Sequence, residues 1–476
     1  MENQKIGTSP YGGRSWGVPP HETALKAEDF MAPYPVLCYG GGEVFQRIAP
    51  SMISRGINVV GVIDAKKQGT VSAGTKILPF FTIEQAIKAY GPKAIVIVTI
   101  ASEIVFRQVK QILAEHGFSE DKIFDLNIWT WLTVPSEKCS CEELNGMLTF
   151  YAPSMAKCCR GLHGEPFWLE WFVDGRSVEE SVDRSLERVA YYAREQMKGR
   201  IPLYCKGCGM LKSDSLRERP LVKEFSVADH SFCNSDCVYC EYACTIPRDR
   251  INARASERHG AIIYAMTQLR ARGMMDPCGK IVLGGGEITV NPYKKDLYEE
   301  AKNIAREFPE MQFQIYSNCF IYDQEIADLL LRGKNSFLQC DLDAGTPETY
   351  IKVKGFNKFD MVCGNLKKYA QYGKVNLKYI VLPDWNDTQA DYEGTVKLLK
   401  ELGSKELTLS LESGLSRNGN RMHIREALYA VARLMVMLEQ NGIQALLPNG
   451  LWKDEYAAVA RRLFRELRTI AGENGK

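Results

Sequence analysis

The sequence predicts an α/β protein whose main domain is a parallel barrel or partial barrel, preceded by a small doubly wound α/β domain and a cysteine-rich insert. Three observations carry this. The runs IVLGGGE (281–287), FQIYSN (313–318), SFLQCDLD (336–343), NLKYIVL (376–382) and ELTLSLE (406–412) alternate with helical stretches, the pattern of repeated βα units. From Pro35 the chain reads as an apolar strand, a glycine turn, a helix and a second apolar strand ending at Asp64. A 476-residue chain with 45% hydrophobic and 25% charged residues can bury a large core, which excludes disordered, collagen-like and coiled-coil chains.

The elements follow in order. Residues 1–33, rich in Gly, Pro and Ser, read as a flexible leader. They contain no apolar signal region, and the longest apolar stretches, such as AIVIVTIAS (94–102), are too short to span a bilayer, so the expected compartment is the cytoplasm. Residues 34–132 continue the first βαβ unit with a helix from about Thr82 to Tyr90, the strand AIVIVTI (94–100), a helix through about His116 and a short strand near Ile123. Residues 133–223 hold six cysteines, the aromatic run FWLEWF and one long helical stretch from Ser177 to about Met197. They are too irregular for another βα unit. The barrel occupies 224–420, and 421–476 read as two amphipathic helices on either side of NGIQALLPNG. The basic stretch ARRLFRELR carries apolar residues at helical spacing and reads as a packed surface helix.

A net charge of +2 gives no broad electrostatic reason to bind nucleic acid or an anionic membrane. The cysteines are more telling. There are 15, and they fall into two dense groups, 139–208 and 233–244, apart from scattered singles. In a reducing compartment grouped thiols point to metal ligation or catalysis rather than to disulfides.

Cys233-Asn-Ser-Asp-Cys237-Val-Tyr-Cys240 puts three thiols at spacings of four and three in one loop. Three thiolates can hold three corners of a 4Fe-4S cubane and leave the fourth iron open. A structural zinc would need a fourth ligand, which Cys244 or His230 can supply, and a buried nest of thiols is the plainer alternative. Gly284-Gly285-Gly286-Glu287 closes the strand IVL; glycines there let backbone approach a ligand, and the acid can accept from an ammonium group, although a tight βα turn would look the same.

These landmarks resemble the radical S-adenosylmethionine (SAM) superfamily. The CxxxCxxC triplet with Tyr239 before its last cysteine, the GGE-type motif, Ser317-Asn318 at the next strand end, Asp341-Leu-Asp343-Ala-Gly-Thr-Pro-Glu-Thr-Tyr350, and Lys378-Tyr-Ile-Val-Leu-Pro-Asp-Trp-Asn386 come in the family's order. The resemblance implies a partial (β/α)6 TIM-type barrel, and a 4Fe-4S cluster on Cys233, Cys237 and Cys240. It implies SAM contacts from Tyr239, Gly285, Gly286, Glu287, Asn318, Asp343 and Lys378. It also implies reductive cleavage of SAM to a 5′-deoxyadenosyl radical, with electrons from a donor such as flavodoxin or ferredoxin. Tyr316 and Cys319 fall at the same strand end, where a thiol can quench a radical and where a packed side chain is the plainer reading.

Upstream, Cys139-x-Cys141, Cys158-Cys159 and Cys205-Lys-Gly-Cys208 supply six thiols that read as a second metal site, 4Fe-4S before zinc. Their order resembles the SPASM-type auxiliary cluster modules of radical SAM enzymes, except that those modules follow the barrel and these cysteines precede it. The expected ligands are Cys141, Cys159, Cys205 and Cys208, with Cys139 and Cys158 as alternates.

The turn Tyr39-Gly40-Gly41-Gly42, with Asp64 ending the next strand, partly matches a dinucleotide fingerprint, but Phe45 stands where close helix packing wants glycine. This N-terminal stretch also resembles small Rossmann-like domains of sugar-modifying enzymes, which favours a sugar, nucleotide-linked or other small metabolite as substrate; a docking or structural domain is the alternative. Rival functions are a radical enzyme acting on peptide or RNA and a non-catalytic iron–sulfur or zinc sensor or scaffold.

Overall fold

The computed structural model describes residues 27, 30, 34–100, 102–126, 128–151, 154–157, 167–171, 175–208, 210–213, 219–228, 232–240, 260–412, 421–448, 452 and 454–473. The chain forms two compact units, one of residues 1–146 with 154–220, the other of 147–153 with 221–476. Most of the expected leader, together with Cys158, Cys159, His230 and Cys244, lies outside the described residues.

The first unit holds a six-stranded sheet built from β1 (Val36–Tyr39), β2 (Val59–Ile63), β3 (Thr70–Ala73), β4 (Lys76–Phe81), β5 (Ile95–Val98) and β6 (Ile123–Asp125). Its order is β3-β4-β2-β1-β5-β6, parallel except for the β3-β4 hairpin, which turns at Gly74 with φ +59°. The central strands are apolar because helices cover the sheet. Leu37, Val96 and Val98 pack with Val109 and Leu113 of the helix Glu103–Glu115. Thr82 and Gln85 form a capping box that starts the helix Ile83–Tyr90 where the sequence places it.

Beyond this sheet, β7 (Thr133–Pro135) pairs antiparallel with β11 (Arg200–Pro202), and β9 (Ser154–Lys157) with β10 (Phe167–Trp171). The long helix is Val178–Met197, capped by Ser177.

The second unit is a parallel sheet of β8 (Met147–Tyr151), β12 (Val222–Ala228), β13 (Met275–Gly284), β14 (Gln312–Tyr316), β15 (Phe337–Asp341), β16 (Lys374–Val381), β17 (Glu406–Leu411) and β18 (Gln444–Leu446), neighbours in that order. The sheet does not close into a barrel among the described residues. Two strands extend it beyond the sequence expectation. Met147–Tyr151, expected within the cysteine segment, pairs with β12 in register Glu224↔Met147, and Gln444–Leu446, expected as a connection between helices, pairs with β17.

Helices alternate with the strands, and their starts follow local chemistry. Asp323, Thr346 and Thr388 each accept a hydrogen bond from the first turn of the helices Gln324–Arg332, Pro347–Lys354 and Gln389–Glu401. Buried Asp391 then gathers Gly345 N at 3.1 Å, Thr349 Oγ1 at 2.9 Å and Thr388 Oγ1 at 2.6 Å, pinning the loop after β15 to the helix Gln389–Glu401. No helix among the described residues is long and apolar enough to cross a membrane.

Candidate functional site

The cysteine triplet lies on the loop that follows β12, beyond the C-terminal strand end, where parallel α/β sheets place their ligands. Cys233, Cys237 and Cys240 are each half-exposed, and a turn closes the last two through Cys240 N donating to Cys237 O at 3.0 Å. Ser235 serves both neighbours: its amide donates to Cys233 Sγ at 3.4 Å, and its hydroxyl lies 3.2 Å from Cys237 Sγ. Burial pushes the Cys233 thiol up to about 11. The loop is also stitched to the end of the helix Pro347–Lys354, with Asp236 N donating to Lys354 O at 3.1 Å and Val238 N to Val353 O at 3.0 Å. Gly355 permits this approach. It sits at φ +81°, and a Cβ there would stand 2.8 Å from Cβ of Asp236.

At the end of β13, Gly284, Gly285 and Gly286 are half-exposed, with Gly285 at φ +98°. Glu287 turns inward and is 1% exposed. Its Oε1 accepts from Thr289 N at 3.0 Å, Thr289 Oγ1 at 2.7 Å and Ser317 Oγ at 2.9 Å, while Oε2 accepts from Asn318 N at 2.6 Å. Burial raises its pKa against the pull of these donors. The expectation of a carboxylate open to an ammonium group therefore meets a carboxylate engaged within the chain. Glu287 positions Asn318, whose Nδ2 donates to Asn234 Oδ1 at 2.7 Å and lies 3.8 Å from Cys233 Sγ.

Asp343 differs from expectation more sharply. It is wholly buried, at φ +56°, and its Oδ1 accepts from Ile380 N at 2.6 Å while Oδ2 accepts from Tyr239 Oη and from Lys354 Nζ. A carboxylate so placed is an internal anchor, where the resemblance implies a SAM contact. Lys354, which the sequence reading missed, is 4% exposed and bonds Tyr239 Oη at 2.5 Å as well. Burial opposes its charge, but Asp343 beside it, together with Cys237 and Asp341, raises its pKa. Tyr239 thus points inward and packs on Val353, Ile380 and Leu382. Asn386 supports the same corner, donating to the carbonyls of Asp343 at 2.9 Å and Ile380 at 2.8 Å. Lys378 stays partly exposed and pairs at 2.7 Å with Asp341, its register partner across β15 and β16.

Tyr316 Oη accepts from Gln314 Nε2 at 2.7 Å. Cys319 is fully buried, and its thiol donates to Ser317 O at 3.6 Å and lies against the buried Cys340 thiol of β15.

Among the described residues no group of three or more His, Cys, Asp or Glu side chains converges tightly enough for one metal ion. A cubane makes a looser demand, because each thiolate binds a different iron. The triplet loop fits that demand: three thiols without a fourth described ligand, with N–H and O–H groups aimed at two sulfurs, the outer-shell pattern that tunes such clusters.

In the first unit Cys139 and Cys141 are buried and flank Ser140, whose backbone exchanges hydrogen bonds of 2.7 and 2.8 Å with Lys212. Lys212 follows the turn closed by Cys208 N donating to Cys205 O at 3.0 Å. The structure thus brings the CxC and CxGC segments together. Burial raises the Cys141 thiol, the amides of Leu144 and Glu143 pull it down, and the neighbouring Cys208 raises it further.

The glycine turn after β1 is internally satisfied. Gly41 N donates to Asp64 Oδ2 at 3.0 Å, Lys66 N to Oδ1 at 2.9 Å, and a Cβ on Gly41 would stand 2.6 Å from the Phe80 ring. Phe45 is wholly buried. Asp64, the group a dinucleotide ribose would need, is committed to its own turn, where these amides overcome burial and lower its pKa.

No curated protein matches this chain. Among solved structures it is similar to Streptococcus suis SuiB bound to S-adenosylmethionine, at 13% identity and TM-score 0.36 over 56% of this chain and 54% of that one. SuiB bound to the precursor peptide SuiA gives 11% identity and 0.37 over 65% and 73%. A radical SAM methyltransferase from Sphaerobacter thermophilus gives 17% identity and 0.34 over 48% and 67%. In a further SuiB structure the chain spans 40% of that protein's length. Residues 229–392 match the family model described as Radical SAM superfamily, from the triplet loop past Asn386. The chain therefore carries a radical SAM domain, of a superfamily whose cofactors are a 4Fe-4S cluster and S-adenosylmethionine.

Proposed function

We propose that this chain is a radical SAM enzyme that cleaves S-adenosylmethionine reductively and modifies a small metabolite, with a sugar or nucleotide-linked compound as the favoured class. The parallel sheet β12–β17 is read as the partial (β/α)6 barrel, and the protein as cytoplasmic. The observation that supports the reading most is the triplet loop: three half-exposed thiols with Ser235 and Asn318 directed at their sulfurs. Cys233, Cys237 and Cys240 would hold the cluster, which would supply the electron for cleavage of the SAM sulfonium S–C bond into methionine and a 5′-deoxyadenosyl radical.

The chain's own residues bind and orient. Gly285 and Gly286 offer half-exposed backbone beside the loop, Glu287 fixes Asn318, and Lys378 within β16 pairs with Asp341 at the end of β15 as a partly exposed ion pair. Asp343 and Tyr239 act from beneath as supports. Cys141, Cys205 and Cys208, completed by Cys159 or by Cys139 or Cys158, are read as ligands of an auxiliary 4Fe-4S cluster. A flavodoxin or ferredoxin is the expected electron donor.

Anaerobic reconstitution tests this. About eight irons per chain, falling to about four in a Cys233→Ala/Cys237→Ala/Cys240→Ala variant, are expected for two cubanes. Stoichiometric zinc without cluster absorption would contradict the reading, and a cluster that never yields 5′-deoxyadenosine from SAM and dithionite would favour a sensor or scaffold.

A further inference from the structure

We propose that the buried Lys354–Asp343 ion pair tunes the reduction potential of the triplet's cluster, with Lys354 as a positioning residue that ties the loop to the strand ends through Tyr239. The inference rests on the reading that the triplet holds a 4Fe-4S cluster, and names groups outside the ligand motif that regulate it.

Lys354 reaches the loop by two routes. Its ammonium bonds Tyr239 Oη, one residue before Cys240. Its carbonyl accepts from Asp236 N at 3.1 Å and from Ser235 Oγ at 3.4 Å, and that hydroxyl also lies 3.2 Å from Cys237 Sγ. Asp343 is held from the other side by Ile380 N and bears on the same tyrosine. With side-chain exposures of 5% and 0%, the two charges are poorly screened by water and salt. A buried ion pair is a weak device for stability, since apolar residues of the same size often hold a fold as well. Its position beneath the loop points to an electrostatic role, because cluster potentials respond to local charge and to hydrogen bonds at sulfur.

Charge tuning has a signature that packing lacks. Lys354→Met removes a cation and should lower the potential; Asp343→Asn removes an anion and should raise it; the double variant should return near wild type. Tyr239→Phe removes no charge and should move the potential less than either. The measurement is a redox titration of the reconstituted full-length protein, followed by the electron paramagnetic resonance signal that SAM perturbs. Opposite shifts are expected, each at least tenfold in the reduction equilibrium, about 59 mV for a one-electron couple. Shifts of the same sign, no shift, or a Tyr239→Phe shift as large as the others overturns the inference. Should Lys354→Met fail to fold, the near-isosteric Asp343→Asn decides alone, a rise supporting the inference and a fall or no change overturning it. If the wild type assembles no cluster that responds to SAM, the underlying reading fails instead.

Discussion

At the residue scale, Glu287 shows how a motif side chain can work by holding other groups. Gln offers one oxygen and an NH2 where Thr289, Ser317 and Asn318 all present donors. Glu287→Gln should therefore destabilise the protein by about 1–3 kcal/mol, read as a lower urea midpoint. The pH dependence has a fixed sign. Burial puts the folded pKa above the ordinary 4.5, so the folded state binds the extra proton and stability falls as pH rises from the ordinary value through the raised one. The Gln variant should lack that fall. The cysteine triplet stood out in the sequence because its spacing is local. Lys354 was not, because a lysine followed by glycine at a helix end reads as a solvated cation near the helix dipole. Only the fold brings Asp343 and Tyr239 to it.

At the element scale, the helices after β15 and β16 are locked by glycines whose need is invisible without the fold. Gly394 lies inside Gln389–Glu401, where alanine would ordinarily help by about 1 kcal/mol. Here a Cβ would stand 1.9 Å from Gly345 O, so Gly394→Ala should lower the melting temperature, and an increase would contradict the packing. Gly355→Ala meets both a left-handed φ of +81° and Asp236, at a cost of about 1–3 kcal/mol. Hydrogen exchange should speed up at Asp236 and Val238, whose amides donate to Lys354 and Val353. The five barrel strands read from sequence are all present, because long apolar runs between helices leave little choice. Met147–Tyr151 reads as strand-like in the sequence, but its pairing with β12 is not legible there, and β18 escaped because so short a segment gains strand identity from its neighbour β17.

At the scale of the whole molecule, the two cysteine groups fall in different compact units, the upstream group in the first and the triplet in the second. Their chemistry should separate in the same way. Cys205→Ala/Cys208→Ala should remove about half of the reconstituted iron while the signal that SAM perturbs persists. The central claim is tested most directly by anaerobic incubation of the reconstituted protein with dithionite and SAM, quantifying 5′-deoxyadenosine in wild type and in Cys237→Ala. The account predicts its formation in the wild type and none above background in the variant. Equal amounts in both, or none from a wild type that holds its cluster, would contradict it.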